Sequence, residues 1–105
     1  NSIKNNNFLT IMQTAVVNKL VVIGAGQMGG GIALTAARMA NMPVSLVDSN
    51  AGSIEKQRSL FKQLLSKDVK REKITIQQAD EIIGRIRFET NLAASVEDAD
   101  FVIEA

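Results

Sequence analysis

The sequence predicts an α/β fold in which the strands of a mostly parallel sheet alternate with helices. Three observations support this. Apolar runs of strand length recur at 19–23, 44–47, 86–88 and 101–104. Segments with helical periodicity lie between these runs, and such alternation is typical of a parallel sheet. A glycine-rich turn joins the first apolar run to the first helical segment.

The glycine-rich turn has the spacing G-x-G-x-x-G. It consists of Gly24, Ala25, Gly26, Gln27, Met28 and Gly29. In a turn from a strand into a helix, the first glycine permits the bend, the second leaves room for a pyrophosphate, and the third allows close helix packing. The helix N-terminus adds unpaired N–H donors and partial positive charge. The pattern predicts that these residues bind a dinucleotide, and a purely structural turn is the alternative.

An acidic residue, Asp48, ends the second apolar run. It follows the third glycine by about 20 residues, where the dinucleotide fingerprint places a carboxylate that accepts hydrogen bonds from a ribose hydroxyl. A carboxylate would repel a 2′-phosphate, and residues 49–52 include no basic side chain, so the sequence favours NAD over NADP. FAD remains open, as does a role for Asp48 in the turn alone.

The connection between the second and third strands is longer than one crossover helix needs. A first helix is predicted at about 53–70 and a second one from Thr75, where Thr75-Ile76-Gln77-Gln78 fits a capping box. The apolar face of the first helix is predicted to consist of Ile54, Phe61, Leu64 and Leu65. The predicted fold class is therefore a partial Rossmann fold, doubly wound, with a helical excursion between the second and third strands.

Composition limits the functions that the chain can perform. It has 105 residues, of which 46% are hydrophobic, and a net charge of +1, so nothing indicates a nucleic-acid partner. No apolar run is long enough to span a membrane. The chain has no cysteine and no histidine. Histidine is the commonest base for the proton transfer that accompanies hydride transfer. We therefore expect a cofactor site without catalytic residues and assign no metal ligand.

The chain divides into two predicted regions. Residues 1–15 contain an asparagine patch and no acidic residue, and we expect a disordered leader, with an organellar targeting segment as the alternative. Residues 16–105 are predicted to form the first part of a dinucleotide-binding domain, because a full domain has about six strands and four are readable here. If the leader is a targeting remnant, the protein lies in the mitochondrial matrix; the cytoplasm is the alternative.

Several segments resemble the L-3-hydroxyacyl-CoA dehydrogenase family. They are the glycine-rich turn with its flanks, the second strand with Asp48, and the segments 65–71 and 99–105. The resemblance covers about 17–105 and implies NAD-dependent oxidation of the 3-hydroxyl of an acyl-CoA in fatty-acid β-oxidation. Another NAD-dependent hydroxyacid or sugar-acid dehydrogenase, or a non-catalytic NAD-binding or structural relative, remains open.

The resemblance also implies roles for individual residues. The glycine-rich turn would hold the pyrophosphate, Asp48 the adenine ribose, and Ala105 would lie near the nicotinamide. The excursion would lie over CoA, whose phosphates could meet Lys67, Lys70 and Arg71, although a solvated helix end explains these residues equally well. The family's catalytic histidine and glutamate and its dimer-forming helical domain come later, so we expect this part to be inactive alone and the whole protein to be a homodimer.

Overall fold

The four predicted strands form one parallel sheet in the computed structural model, which describes residues 19–105. The strands are β1 (Leu20–Ile23), β2 (Val44–Val47), β3 (Ile86–Glu89) and β4 (Phe101–Glu104). Their order is β3-β2-β1-β4. From β1, the chain adds β2 and then β3 on one side, and it then crosses back to add β4 on the other side of β1. In doubly wound sheets, this reversal creates a crevice at the carboxyl ends of the two strands that flank it, here β1 and β4.

Four helices connect the strands. They are α1 (Gln27–Met39), α2 (Ala51–Lys70), α3 (Ile76–Gly84) and α4 (Leu92–Val96). Helices α2 and α3 form the excursion between β2 and β3, so the predicted fold class is confirmed. The predicted leader at 1–15 lies outside the described residues.

Helix α1 packs closely on the sheet because its inward face consists of alanines. Ala33, Ala36 and Ala37 are completely buried, in one cluster with Leu20 and Leu46 of the central strands. Small side chains let the helix approach the strands closely. This packing fixes the direction in which the N-terminus of α1 points, at the carboxyl edge of the sheet.

The buried face of α2 differs from the prediction at one position. Leu64 is 39% exposed, whereas Gln57 is buried together with Ile54, Phe61 and Leu65. These four positions recur at intervals of three or four residues and form one stripe, and Leu64 lies beside it. Gln57 fits the stripe because it packs against Gly30 of α1, where a Cβ would come within 2.2 Å of its side-chain oxygen.

The two helices of the excursion are joined by a turn with defined caps. After α2, the Glu72 N–H donates to the Val69 carbonyl at 3.0 Å and the Lys73 N–H to the Asp68 carbonyl at 2.9 Å. Glu72 has φ 59, the left-handed conformation that this helix ending requires. Thr75 then caps α3 in the predicted capping box, with its hydroxyl accepting from the Gln78 N–H at 3.1 Å.

Of the four strands, β4 is the most exposed to solvent. It pairs with β1, and no other strand within residues 19–105 pairs with it. Phe101 and Val102 are 41% and 45% exposed. Successive residues of a strand point to opposite faces, so both faces of β4 display apolar side chains.

We predict that Thr75→Ala lowers the free energy of unfolding by about 1 kcal/mol, because the first turn of α3 loses a hydrogen-bond acceptor. Urea denaturation of the protein measures this change. Thr75→Ser keeps the acceptor and is the matched control, expected to remain near wild type. Equal stability of all three proteins would contradict the assigned cap.

Candidate functional site

The glycine-rich turn at 24–29 lies at the carboxyl ends of three strands. The Gly24 N–H donates to the Val47 carbonyl at 2.7 Å, and the Ala105 N–H donates to the Ile23 carbonyl at 2.9 Å. The turn is therefore held by β2 on one side and by the end of β4 on the other. This places it at the reversal of strand order described above.

Two of the three glycines are required by the protein's own packing. Gly24 has φ +106, and a Cβ there would lie 2.6 Å from the Ala105 carbonyl oxygen. A Cβ at Gly29 would lie 1.7 Å from the Gly24 carbonyl oxygen. A Cβ at Gly24 would displace the end of β4, and one at Gly29 would push the start of α1 away from the turn. These contacts agree with the roles predicted for the first and third glycines.

Gly26 is different because, among residues 19–105, no atom beyond its chain neighbours lies within 4 Å of the position its Cβ would take. Its φ of −81° is accessible to any residue. Folding alone therefore gives no reason for glycine here. In dinucleotide-binding turns, the second glycine leaves such space so that a pyrophosphate can approach the backbone.

The N-terminus of α1 has free hydrogen-bonding capacity. The first helical bond runs from the Gly30 N–H to the Gly26 carbonyl at 2.9 Å, so the N–H groups of Gln27, Met28 and Gly29 have no acceptor in the helix. Gly26 provides no side-chain cap, and the first turn has no acidic residue. Together with the helix dipole, these donors favour an anion.

The carboxylate of Asp48 joins the glycine-rich turn to the start of α2. Its Oδ2 accepts from the Ala25 N–H and its Oδ1 from the Asn50 N–H, both at 2.9 Å. The hydrogen bond from Ala25, then that from Asn50, lowers the pKa of Asp48 below its usual value, because both stabilise the ionised form. Each oxygen retains a second lone pair for another donor.

The structure brings the predicted cofactor residues together and separates them from the predicted substrate residues. The turn, Asp48 and Ala105 are linked by the bonds and contacts given above. Lys67, Lys70 and Arg71, here called the basic cluster, are exposed at the opposite end of α2. Because a helix of 20 residues spans about 30 Å, the cluster lies most of that distance from the turn.

Sequence reasoning missed two residues near these groups. Asn50 caps α2, with its side-chain oxygen accepting from the Ser53 N–H at 3.1 Å, and starts the helix at Ala51 rather than at Ser53. An asparagine just before a helical pattern is a signal that could have revealed this cap. Arg38 forms an ion pair with Asp68 of α2, and no local pattern predicts that long-range contact.

A groove of about 450 Å³ lies between α2 and α3, away from the glycine-rich turn. Its lining is mainly apolar and includes Leu65, Val69, Ile76 and Ile83. Within residues 19–105, no group of histidine, cysteine or acidic side chains could hold a metal ion. None of the helices in this part of the chain has the length and hydropathy needed to cross a bilayer.

Comparison with known proteins identifies the family. The family described as 3-hydroxyacyl-CoA dehydrogenase, NAD binding domain, matches residues 19–105. A probable 3-hydroxyacyl-CoA dehydrogenase of Caenorhabditis elegans is 37% identical over 101 residues, covering 91% of this chain and 32% of that protein. A fatty acid oxidation complex subunit alpha of Shewanella oneidensis is 36% identical over 89 residues, covering 85% of this chain and 12% of that protein.

Solved structures agree with these matches. The 3-hydroxybutyryl-CoA dehydrogenase of Escherichia coli aligns with a TM-score of 0.79 and 32% identity, over 86% of this chain and 19% of that one. The chain thus spans about a third or less of each relative. The resemblance drawn from the glycine-rich turn, Asp48 and the closing segment is confirmed, and so is NAD as the cofactor of this kind of domain. The chain belongs to the NAD-binding domain family of the 3-hydroxyacyl-CoA dehydrogenases.

Proposed function

We propose that this chain is the NAD-binding part of an enzyme that oxidises L-3-hydroxyacyl-CoA to 3-oxoacyl-CoA in fatty-acid β-oxidation. The family match supports the cofactor, and the names of the relatives support the reaction. One observation carries the proposal at atomic level. The backbone at Gly26 is open on the side of its missing side chain, directly before the uncapped N-terminus of α1.

In this proposal, each predicted cofactor residue has a distinct role. Residues 24–29 surround the pyrophosphate, which takes the free N–H groups at the start of α1. Asp48 accepts a hydrogen bond from the adenine ribose with a remaining lone pair. Ala105 lies on the nicotinamide side, and its contact with Gly24 supports a place beside the same crevice.

The chain's own residues bind and orient the cofactor, whereas proton transfer needs a group from elsewhere. When bound, the cofactor supplies the hydride acceptor for oxidation of the 3-hydroxyl carbon. The hydroxyl proton needs a base at the same time, and the chain contains no histidine. We infer that another part of the whole protein provides this base.

We also propose that the basic cluster binds the phosphates of CoA. Support comes from the solvent exposure of the charged side chains at this end of α2. Lys67, Lys70 and Arg71 are exposed, while the carboxylate of Asp68 is only 15% exposed and pairs with Arg38. Two exposed acids lie nearby: Glu72 follows the cluster in the chain, and Asp80 lines the groove beside Lys70. The outward surface is thus mainly cationic, which suits a phosphorylated ligand.

The activity is tested directly with the whole protein that contains this chain. We expect oxidation of NADH on addition of acetoacetyl-CoA, followed at 340 nm, with much weaker activity from NADPH. Turnover of a free 3-oxoacid but not of its CoA thioester would favour the hydroxyacid dehydrogenase alternative. NADH binding without turnover of either substrate would favour the non-catalytic alternative.

Gly26→Val is predicted to abolish NADH binding while leaving the fold intact. The valine side chain would occupy the space assigned to the pyrophosphate, yet its Cβ would have no atom of residues 19–105 within 4 Å apart from its chain neighbours. Fluorescence titration measures binding, and thermal denaturation reports the fold. Gly84→Val is the matched control, since that glycine also faces open space but lies at the end of α3. Normal binding by Gly26→Val would rule out a ligand at this face of the turn.

Asp48→Ala is predicted to weaken NADH binding by about 1.5–3 kcal/mol, the range for hydrogen bonds to charged groups. Part of this loss would arise from the bonds of Asp48 to Ala25 and Asn50. Asp48→Asn separates the two roles, because it removes the charge that repels a 2′-phosphate. The ratio of NADH to NADPH affinity should fall in this variant. An unchanged ratio would assign Asp48 to the turn alone.

A further inference from the structure

Arg38 and Asp68 form an ion pair that joins the last turn of α1 to the last turns of α2. The Arg38 guanidinium donates from Nη2 to Asp68 Oδ2. The two side chains are 32% and 15% exposed, so the pair is partly shielded from water. Shielding strengthens such a pair relative to one on an open surface.

The backbone of Asp68 also takes part in the turn that ends α2. Its carbonyl accepts the Lys73 N–H at 2.9 Å, and the neighbouring Val69 carbonyl accepts the Glu72 N–H at 3.0 Å. The reversal after Arg71 is therefore built on the same residue that contacts α1. An anchor at Asp68 fixes both the last turn of α2 and the turn that follows it.

The charges around Asp68 explain why its partner matters. The hydrogen bond from Arg38 makes the largest contribution to lowering the pKa of Asp68, and the positive charges of Lys73 and Arg71 add to it. Those two cations are thus close enough to interact with the carboxylate. Without Arg38, Lys73 and Arg71 would be the cations left beside this carboxylate.

A second arginine holds the same end of α1 to the excursion. Arg85, which follows α3, donates from Nη1 to the Ala37 carbonyl at 2.9 Å. The C-terminal end of α1 therefore contacts both sides of the excursion, while its N-terminal end follows the glycine-rich turn. Helix α1 is the rigid element common to the two regions.

From these contacts, we propose that Arg38 is a positioning residue for CoA recognition. Its ion pair with Asp68 fixes the end of α2 so that Lys67, Lys70 and Arg71 face the phosphates of the substrate. This inference rests on the proposed function. Arg38 does not touch the ligand in this proposal, and it acts by holding the basic cluster in place.

The test compares two substrates of the whole enzyme that differ only in the phosphates and nucleotide of CoA. Acetoacetyl-CoA carries these groups, and acetoacetyl-pantetheine lacks them. For Arg38→Gln we expect a rise of about tenfold in KM for acetoacetyl-CoA, the size of one lost charge-assisted interaction. We expect kcat, NADH affinity and the KM for acetoacetyl-pantetheine to remain as in the wild type.

Exchanging the two charged residues should restore the KM for acetoacetyl-CoA. In the double variant Arg38→Asp with Asp68→Arg, the two charges again face each other, and we expect a KM for acetoacetyl-CoA within about threefold of wild type, because contacting residues compensate. Arg38→Lys keeps the positive charge and should give an intermediate KM. It also provides a readout if Arg38→Gln fails to fold.

Arg58→Gln is the matched control for a general loosening of α2. Arg58 lies on the same helix, pairs with Glu55 at 3.2 Å, and has its guanidinium carbon 4.5 Å from the centre of the Phe88 ring. Its loss removes an ion pair and a ring contact without touching the basic cluster. We expect no change in the KM for either substrate.

The outcomes separate this inference from the proposed function. An equal rise in KM for both substrates in Arg38→Gln, or no rise, would overturn the positioning role. If the triple variant Lys67→Gln, Lys70→Gln, Arg71→Gln raises the KM for acetoacetyl-CoA but Arg38→Gln does not, only this inference fails. If the triple variant binds acetoacetyl-CoA as well as wild type, the CoA assignment fails and the role of Arg38 fails with it.

Discussion

The bridge formed by the Asp48 carboxylate is the interaction on which the arrangement of the site depends. By accepting one N–H from the glycine-rich turn and one from the start of α2, it sets the distance between the two segments that follow β1 and β2. Both hydrogen bonds join groups of the protein itself. A site whose backbone donors are already in place loses less conformational freedom on binding than one that must be ordered by its ligand.

Close backbone packing provides the second constraint. Gly24 lies against Ala105, and Gly29 lies against Gly24 and the Ala105 methyl group, so β1, β4 and α1 meet at close range. The strand order brings these elements together, and the alanine face of α1 keeps the helix near the sheet. Gly26 stands apart because nothing in the described part of the chain fills the space beside it. That contrast distinguishes glycines needed for the fold from a glycine suited to a ligand.

Much of the fold could be predicted because its signals are local. The strands, the glycine-rich turn and the capping box at Thr75 are readable from short patterns. The burial of Gln57 in place of Leu64 was not readable, since it depends on Gly30 of another helix. The ion pair of Arg38 and Asp68 likewise depends on how two helices cross. For the site, the sequence indicated which residues gather at the turn, but not that Asp48 would bond to backbone groups on both sides. The ribose, nicotinamide and CoA roles remain predictions.

The outer edge of β4 has a consequence for the completeness of the sheet within residues 19–105. Phe101 and Val102 are exposed on opposite faces, and the outer edge of the strand has no partner within residues 19–105. An apolar edge of this kind offers its free backbone groups to any extended segment that approaches it. One further strand laid along this edge would therefore pair those groups and cover an apolar side chain on each face, as in the sheet of about six strands of a dinucleotide-binding fold.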